Sequence, residues 1–337
     1  MALSKLCEDE KLVIFGQLRG NPLEPRLVVN FCSTNKELRR FLTCKVQRQL
    51  KSDFKEAHSF SIKVGVGNCK GLYEATQLDV HEATNQDLKM LANLSLLLPA
   101  LNELNLNEPV SGGLNVQWFA KALATDSFPS MTELNIDSHV GDAGASAIAD
   151  ALDRSALPRL KNLSLLDTNI GDAGLVALAP ALRRRPLLEK LRFDYNEFSD
   201  EGLAALVAPP PIGCTHLPLG VAPPLPKLSY LNVRDTLITP TGFVTLSDAL
   251  QSGALPALQM LVVSDFPLSS TERAILKKRR PKLSWWTEED DEAALTLTEE
   301  GIDSTTLANV AASAAATILS STATALAIFN CLLLLGR

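Results

Sequence analysis

Over most of its length this chain lacks a charge excess of either sign. The formal net charge is −6, yet residues 286 to 337 alone hold eight acids and a single base, Arg337, leaving 30 acids against 31 bases elsewhere. A near-neutral body carries no electrostatic footprint for nucleic acid, which requires a basic face. Paired cysteines are missing too. Cys7, Cys32, Cys44, Cys69, Cys214 and Cys331 are scattered with no pair at CxxC spacing, which argues against zinc and against a disulfide framework. Histidine is scarce: His58, His81, His139 and His216 stand far apart, and no GxSxG, phosphate-binding loop or HExxH accompanies them. No catalytic constellation follows, so the expectation is a non-enzyme without cofactor or metal. The start, Met1 to Glu10, has no apolar run and turns acidic. No signal peptide is expected, and a reducing, cytoplasmic compartment follows, with the nucleus behind it.

What is present is a repeated phrase. Leu101-Asn-Glu-Leu-Asn-Leu, Met131-Thr-Glu-Leu-Asn-Ile, Leu160-Lys-Asn-Leu-Ser-Leu, Leu188-Glu-Lys-Leu-Arg-Phe, Leu228-Ser-Tyr-Leu-Asn-Val and Leu258-Gln-Met-Leu-Val-Val are LxxLxL strand signatures. Their starts lie 30, 29, 28, 40 and 30 residues apart, and such a period predicts a solenoid of stacked strand–helix units. Residues at offsets 0, 3 and 5 are predicted inward, with the alternating offsets on the opposite face of the sheet. Offset 10 is again apolar in Ile170, Phe198, Ile238 and Leu268, and Val140 serves in the unit that is one residue short. Gly141-Asp-Ala-Gly and Gly171-Asp-Ala-Gly read as a turn and helix start, with Asp142 and Asp172 expected as N-cap acceptors. Leu175, Leu178, Ala179 and Leu182 form an apolar helix face. Pro158, Pro186, Pro226 and Pro256 each precede the next strand and end a helical stretch. A weaker unit near Leu72 has Gln77-Leu-Asp-Val as its candidate strand, and Trp285-Trp286 are expected to close the last repeat.

LxxLxL, the Gly-Asp-x-Gly turn and a helix running Leu-x-x-Leu-Ala-x-x-Leu together resemble the ribonuclease-inhibitor type of leucine-rich repeat, over roughly residues 72 to 285. The resemblance implies an α/β fold: a leucine-rich repeat solenoid of six or seven units, with a curved parallel sheet inside and helices outside. One departure is that the family's Asn or Cys at offset 8 survives only as Asn196, with Thr168, Thr236 and Phe266 elsewhere. Solenoids of this kind bind on the concave strand face, which implies a protein partner there. The face is predicted to carry Glu103, Asn105 and Asn107, then Glu133, Asn135 and Asp137. Asn162, Ser164 and Leu166 come next, followed by Lys190, Arg192 and Asp194, and then Tyr230, Asn232 and Arg234. An acid recurs at the strand ends (Glu108, Asp137, Asp167, Asp194, Asp235, Asp265). Stacked, these residues are expected either to form an acidic ridge or to cap their own turns. Some relatives of this repeat class activate small GTPases; nothing in the sequence singles out the arginine or asparagine that this alternative needs, and an exposed concave residue such as Arg192 is where it would be tested.

The remaining segments divide the chain into residues 1–70, a helical segment; 71–286, the solenoid; 287–304, an acidic linker; and 305–337, an apolar C-terminal helix. Within residues 10 to 60 the order is an apolar helix (Ile14-Phe-x-x-Leu), a turn at Pro25, a helix ending near Cys32, and a charged helix at Leu38-Arg-Arg. This order resembles an F-box, which implies binding to the adaptor of a cullin-type ubiquitin ligase and a role in substrate recognition. The usual Leu-Pro opening is missing, and a helical cap on the first repeat is the competing reading. Val207 to Lys227 is proline-rich, either a partner-docking loop or a tolerated insertion at a solenoid turn. Arg183-Arg-Arg is read as complementing its own helix dipole. Lys277-Lys-Arg-Arg-Pro-Lys reads as a nuclear localisation signal or a solvated helix. Thr305 to Gly336 has no charge and is expected either to anchor the chain in a membrane, facing the cytosol, or to fold as a soluble helix.

Overall fold

The computed structural model describes residues 21–33, 43–107, 115–207, 225–251, 253–264 and 280–286, with residues 14, 15, 18, 39, 274, 277 and 278 alongside. The chain divides into two units, Met1–Trp286 and Thr287–Arg337, and every described residue falls in the first. The expectations for the acidic linker, for the apolar segment 305–337 and for most of the proline-rich insertion lie outside the described residues.

Eight strands form one sheet in strictly sequential order: β1 (Gln77–Val80), β2 (Glu103–Asn107), β3 (Glu133–Asp137), β4 (Asn162–Leu165), β5 (Lys190–Arg192), β6 (Tyr230–Asn232), β7 (Met260–Val262) and β8 (Ser284–Trp286). Every neighbouring pair is parallel, because each strand reaches the next through a crossover. Six of the strands, β1 to β6, are each followed by a described helix, and Trp285-Trp286 close the array as part of an eighth strand. Leu283 at its start is fully buried, and Trp285 pairs in register with the core residue Leu261. Short strands are sufficient here, since packing on neighbouring repeats rather than strand length supplies the stability.

The described helices are α1 (Pro25–Ser33), α2 (Cys44–Lys63) and α3 (Cys69–Glu74), which precede β1, then α4 (Asn85–Leu94), α5 (Val116–Ala122), α6 (Gly141–Asp153), α7 (Asp172–Arg183), α8 (Asp200–Val207) and α9 (Pro240–Gln251), one after each of β1 to β6. Leu104, Leu134, Leu163, Leu191 and Leu231 are register partners along the sheet. All five are buried in one continuous core from Leu23 to Leu283. Burying a leucine contributes about 1.5–3 kcal/mol, so a row of leucines sets the register of the whole array.

Four repeats enter their strands through the same backbone feature. Phe128, Leu157, Leu225 and Leu255 each precede a proline and adopt φ of 52°, 53°, 52° and 48°, while their side chains are 3% exposed or less. The left-handed region costs an L-residue roughly 1–2 kcal/mol, and proline disfavours right-handed helical backbone in the residue before it. Burial of a large apolar side chain in the core offsets that cost.

At the N-terminal end, α2 spans two environments. Leu50 packs with Phe15, Val28, Phe31 and Cys32 in a small core of their own, flanked by Ile14, Leu18 and Val46. Further along the same helix, Ala57 and Phe60 join the solenoid core. Lys63 at its last turn lies 2.6 Å from Asp87 and donates to the Glu82 carbonyl at 2.9 Å. Asp87 is itself the reciprocal partner of Thr84 in the capping box of α4, so the helix end is capped and neutralised together.

Candidate functional site

The face of the sheet opposite the helices is built by alternation: along β2, Leu104 and Leu106 are buried while Glu103, Asn105 and Asn107 are half-exposed. Parallel register places equivalent positions side by side, giving one row Gln77, Glu103, Glu133, Asn162, Lys190, Tyr230, Met260 and a second row Asp79, Asn105, Asn135, Ser164, Arg192, Asn232, Val262. The sequence-derived residues Glu103, Asn105, Glu133, Asn135, Asn162, Lys190, Arg192 and Tyr230 thus lie on one surface. Gln77, Asp79, Met260 and Val262 share it and were missed. Offsets 2 and 4 from Leu258 mark the last two, and the Gln77-Leu-Asp-Val strand marks the first two.

A chain of side-chain hydrogen bonds runs along the N-terminal half. The Asn105 amide donates to Asp79 at 2.5 Å and to Glu103 at 2.9 Å. Asn135 donates to the Asn105 amide oxygen at 2.6 Å and Asn162 to Glu133 at 2.9 Å. Asparagine amides therefore hold the carboxylates across β1 to β4 in fixed positions. No Lys or Arg stands among the face residues of β1 to β3.

The C-terminal half differs. Arg192 donates to Asp194 at 3.1 Å, and Asp194 is only 4% exposed. The pair leaves Arg192 Nε and Asp194 Oδ1 without hydrogen-bond partners among the described residues. Arg192, expected on the open face, is held in this pair. Burial pushes the Tyr230 phenol up, against the pull of the Arg192 charge. Ser164 and Asn232 are buried as well, so three of the expected face residues, with Asp194, are covered by their neighbours.

A continuous acidic ridge does not form among the described strand ends. Asp137 and Asp167 are exposed, but Asp194 is buried. Asp235 accepts from Arg234 Nε at 3.1 Å and from the Ser264 hydroxyl at 3.1 Å. Glu108 and Asp265 lie outside the described residues. Asp167 and Asp235 take left-handed backbone, which Asp tolerates better than most residues.

The turn aspartates also act differently from expectation. Asp142 does not cap its own helix, α6, which has no side-chain cap. Its carboxylate accepts from the backbone of Gly171 at 2.8 Å and Gly174 at 3.0 Å, in the next repeat. Asp172 accepts from Ser199 and Gly202 at 2.8 Å each, and Asp200 from Thr239 at 2.8 Å. The four amides at a helix start lack intrahelical partners, and the preceding repeat supplies the acceptor. Arg183, Arg184 and Arg185 likewise reach beyond their own helix. Arg185 donates to the carbonyls of Leu152 and Ala156 one repeat back, Arg184 bonds Asp153 at 2.6 Å, and Arg183 points to the Ala205 carbonyl.

Among the described residues no group of His, Cys, Asp or Glu is arranged to hold a metal, and no helix is long and apolar enough to cross a membrane. Buried thiols at Cys32 and Cys69 have pKa values pushed up by burial.

Sheet, crossovers and inward leucines define an α/β leucine-rich repeat solenoid. A leucine-rich repeat family profile matches residues 158–179 and 186–207, which are two successive units ending in α7 and α8. No curated protein matches the chain by sequence. Solved structures that resemble it include leiomodin-1 actin-binding site 2, at 15% identity, covering 65% of this chain and 97% of that one with a TM-score of 0.38. An internalin (inlF) from Listeria monocytogenes is also 15% identical, covering 68% of this chain and 80% of the other with a TM-score of 0.30.

Proposed function

We propose that this chain is a non-enzymatic protein-binding scaffold that docks its partner on the open face of β1 to β7. The observation that carries this reading is the amide–carboxylate chain Asp79–Asn105–Asn135 with Glu103 and Glu133. Side chains ordered before binding lose little entropy on association, which raises affinity for a given contact area. Affinity capture with the full chain tests it. Asn135→Lys on the open face should abolish recovery of the partner, whereas Val176→Lys on the exposed side of α7 should not. Equal recovery by both variants, or loss only with Val176→Lys, would overturn the reading.

A second reading, substrate recognition for a cullin-type ubiquitin ligase through residues 10 to 60, is supported by a specific observation. Phe15, Val28, Phe31, Cys32 and Leu50 form a core separate from the solenoid's, and Leu27 and Val29 on α1 remain exposed. The capping role of α2 through Ala57, Phe60 and Lys63 is compatible with this hook, because the two ends of one helix serve the two cores. A pull-down of the ligase adaptor decides: recovery by wild type and loss with Ile14→Asp supports the hook, and no recovery by wild type removes it. A cytosol-facing membrane anchor at residues 305–337, on a binding scaffold unrelated to ubiquitin, is the alternative to this ligase reading.

A further inference from the structure

We propose that the open face reads its partner by charge polarity: a basic block of the partner lies over β1 to β3, and an acidic, aromatic block lies over β5 to β7. The proposal rests on the open face being the docking surface and adds the chemistry and direction of the segment that it takes. Asp79, Glu103, Glu133 and Asp137 give the first half a negative pole without a cation on the same strands' face. Across the neutral positions Asn162 and Ser164 the sign reverses at Lys190, beside the Arg192 guanidinium that Asp194 neutralises.

Beyond the sign change the face turns apolar, with half-buried Tyr230, Met260 and Val262. Arginine, tyrosine and methionine are the residues enriched at the cores of protein interfaces. This pole also holds a buried ion pair whose hydrogen bonds are incomplete. Among the described residues, buried Asp194 has one carboxylate oxygen without a partner, and the Arg192 Nε–H beside it has none either. Buried polar atoms without partners are destabilising, and a partner amide settling beside Tyr230 can offer Asp194 Oδ1 a donor and Arg192 Nε an acceptor.

The geometry sets the spacing of the partner's charges. Glu103 on β2 and Lys190 on β5 are three strands apart, about 14 Å at ~4.8 Å per strand. That exceeds a Debye length of roughly 8 Å at physiological salt, so the poles act separately. An extended partner chain crosses this distance in about four residues. Nucleic acid is disfavoured as an occupant, since its phosphates would meet the negative pole.

The probe is a synthetic peptide with three lysines, a four-residue Gly/Ser spacer and Glu-Phe-Glu, carrying a photocrosslinker at one end or the other. The expected result is that the lysine end crosslinks to β1–β3 and the Glu-Phe-Glu end to β5–β7. Affinity by fluorescence anisotropy should exceed that of either half-peptide, as linked sites predict. It should fall about tenfold with the pair Glu103→Gln and Glu133→Gln, and about tenfold with Lys190→Glu. These half-exposed positions leave the buried Arg192–Asp194 pair intact, and far-ultraviolet circular dichroism checks that the variants fold. Crosslinks on the open face with the two ends interchanged or mixed would overturn the polarity while leaving the docking surface standing. Crosslinks confined to the helices would overturn both, and a peptide that binds no tighter than its halves would overturn the polarity.

Discussion

Asp172 of one repeat accepts a hydrogen bond from the backbone amide of Gly202 in the next, at 2.8 Å. A methyl group at Gly202 would sit 2.9 Å from that carboxylate oxygen and 3.1 Å from Phe198 Cβ. The last glycine of this turn, Gly202 in Ser199-Asp-Glu-Gly, is therefore required by the neighbouring repeat's aspartate, not by backbone conformation. Gly174 stands in the same relation to Asp142, at 2.5 Å.

Gly202→Ala and Gly174→Ala should accordingly destabilise the array, by about 1–3 kcal/mol, as overpacking does. Glycine to alanine inside an ordinary helix stabilises by roughly 0.5–1 kcal/mol, so the sign of the change is the test. Hydrogen exchange of the α7 and α8 amides measures it repeat by repeat. Faster exchange is expected, and slower exchange would refute the close approach.

Asp172→Ala should cost about 1 kcal/mol near pH 7, the usual worth of an N-cap. Burial pushes the Asp172 carboxyl up, but hydrogen bonds from the Ser199 side chain and from the Ser199 and Gly202 amides outweigh it and hold the pKa below the ordinary value. A carboxylate with a depressed folded pKa stabilises above the unfolded value of ~3.9, and that contribution is lost as pH falls through the folded value. Urea unfolding should show the gap between wild type and Asp172→Ala narrowing below about pH 4. A gap that stays constant down to pH 2 would contradict the argument.

Asn196 and Ser138 occupy equivalent buried positions with opposite outcomes. Asn196 accepts from Thr168 and from the Ile170 amide and donates to the carbonyls of Leu165 and Phe193. The Ser138 hydroxyl has no hydrogen-bond partner among the described residues. Asn196→Ala should cost about 3 kcal/mol or more by orphaning several buried groups, whereas Ser138→Ala should be neutral or stabilising by up to ~1 kcal/mol. Denaturant midpoints of the two variants decide.

Arg184 and Arg185 give a similar contrast. Arg184 pairs with Asp153 at the surface, with both side chains about half exposed, so Arg184→Ala should change stability by less than about 0.5 kcal/mol. Arg185→Ala removes the donor from the Leu152 and Ala156 carbonyls at the end of α6 and should cost about 1–3 kcal/mol. Equal effects in thermal melts would mean that the reach into the preceding repeat contributes nothing.

If residues 305–337 anchor the protein, full-length chain should sediment with membranes and resist carbonate extraction. A version ending at Trp286 should remain in the supernatant with an unchanged unfolding midpoint. Full-length protein in the high-speed supernatant would remove the anchor.

The repeat period and the LxxLxL phrase were sufficient for the fold, because inward leucines at fixed offsets admit only one way to stack successive strands. The same alternation placed Glu103, Asn135, Lys190 and Tyr230 on the open face. Local pattern did not reveal where Asp142, Asp172 and Arg185 reach. Their partners lie about one repeat away in sequence, and an aspartate at a helix start looks the same whether it caps its own helix or the next. Nor did it reveal that Asp194 and Asn232 would be buried, since a strand-end polar residue is covered or exposed according to the side chains of the adjoining strand. Trp285 became part of an eighth strand only because Leu261 offered it a core position in register. Sequence determined which residues face inward; stacking, which brings each repeat's charged groups against its neighbour's backbone, decided which of the others hold the array together and which stay open to a partner.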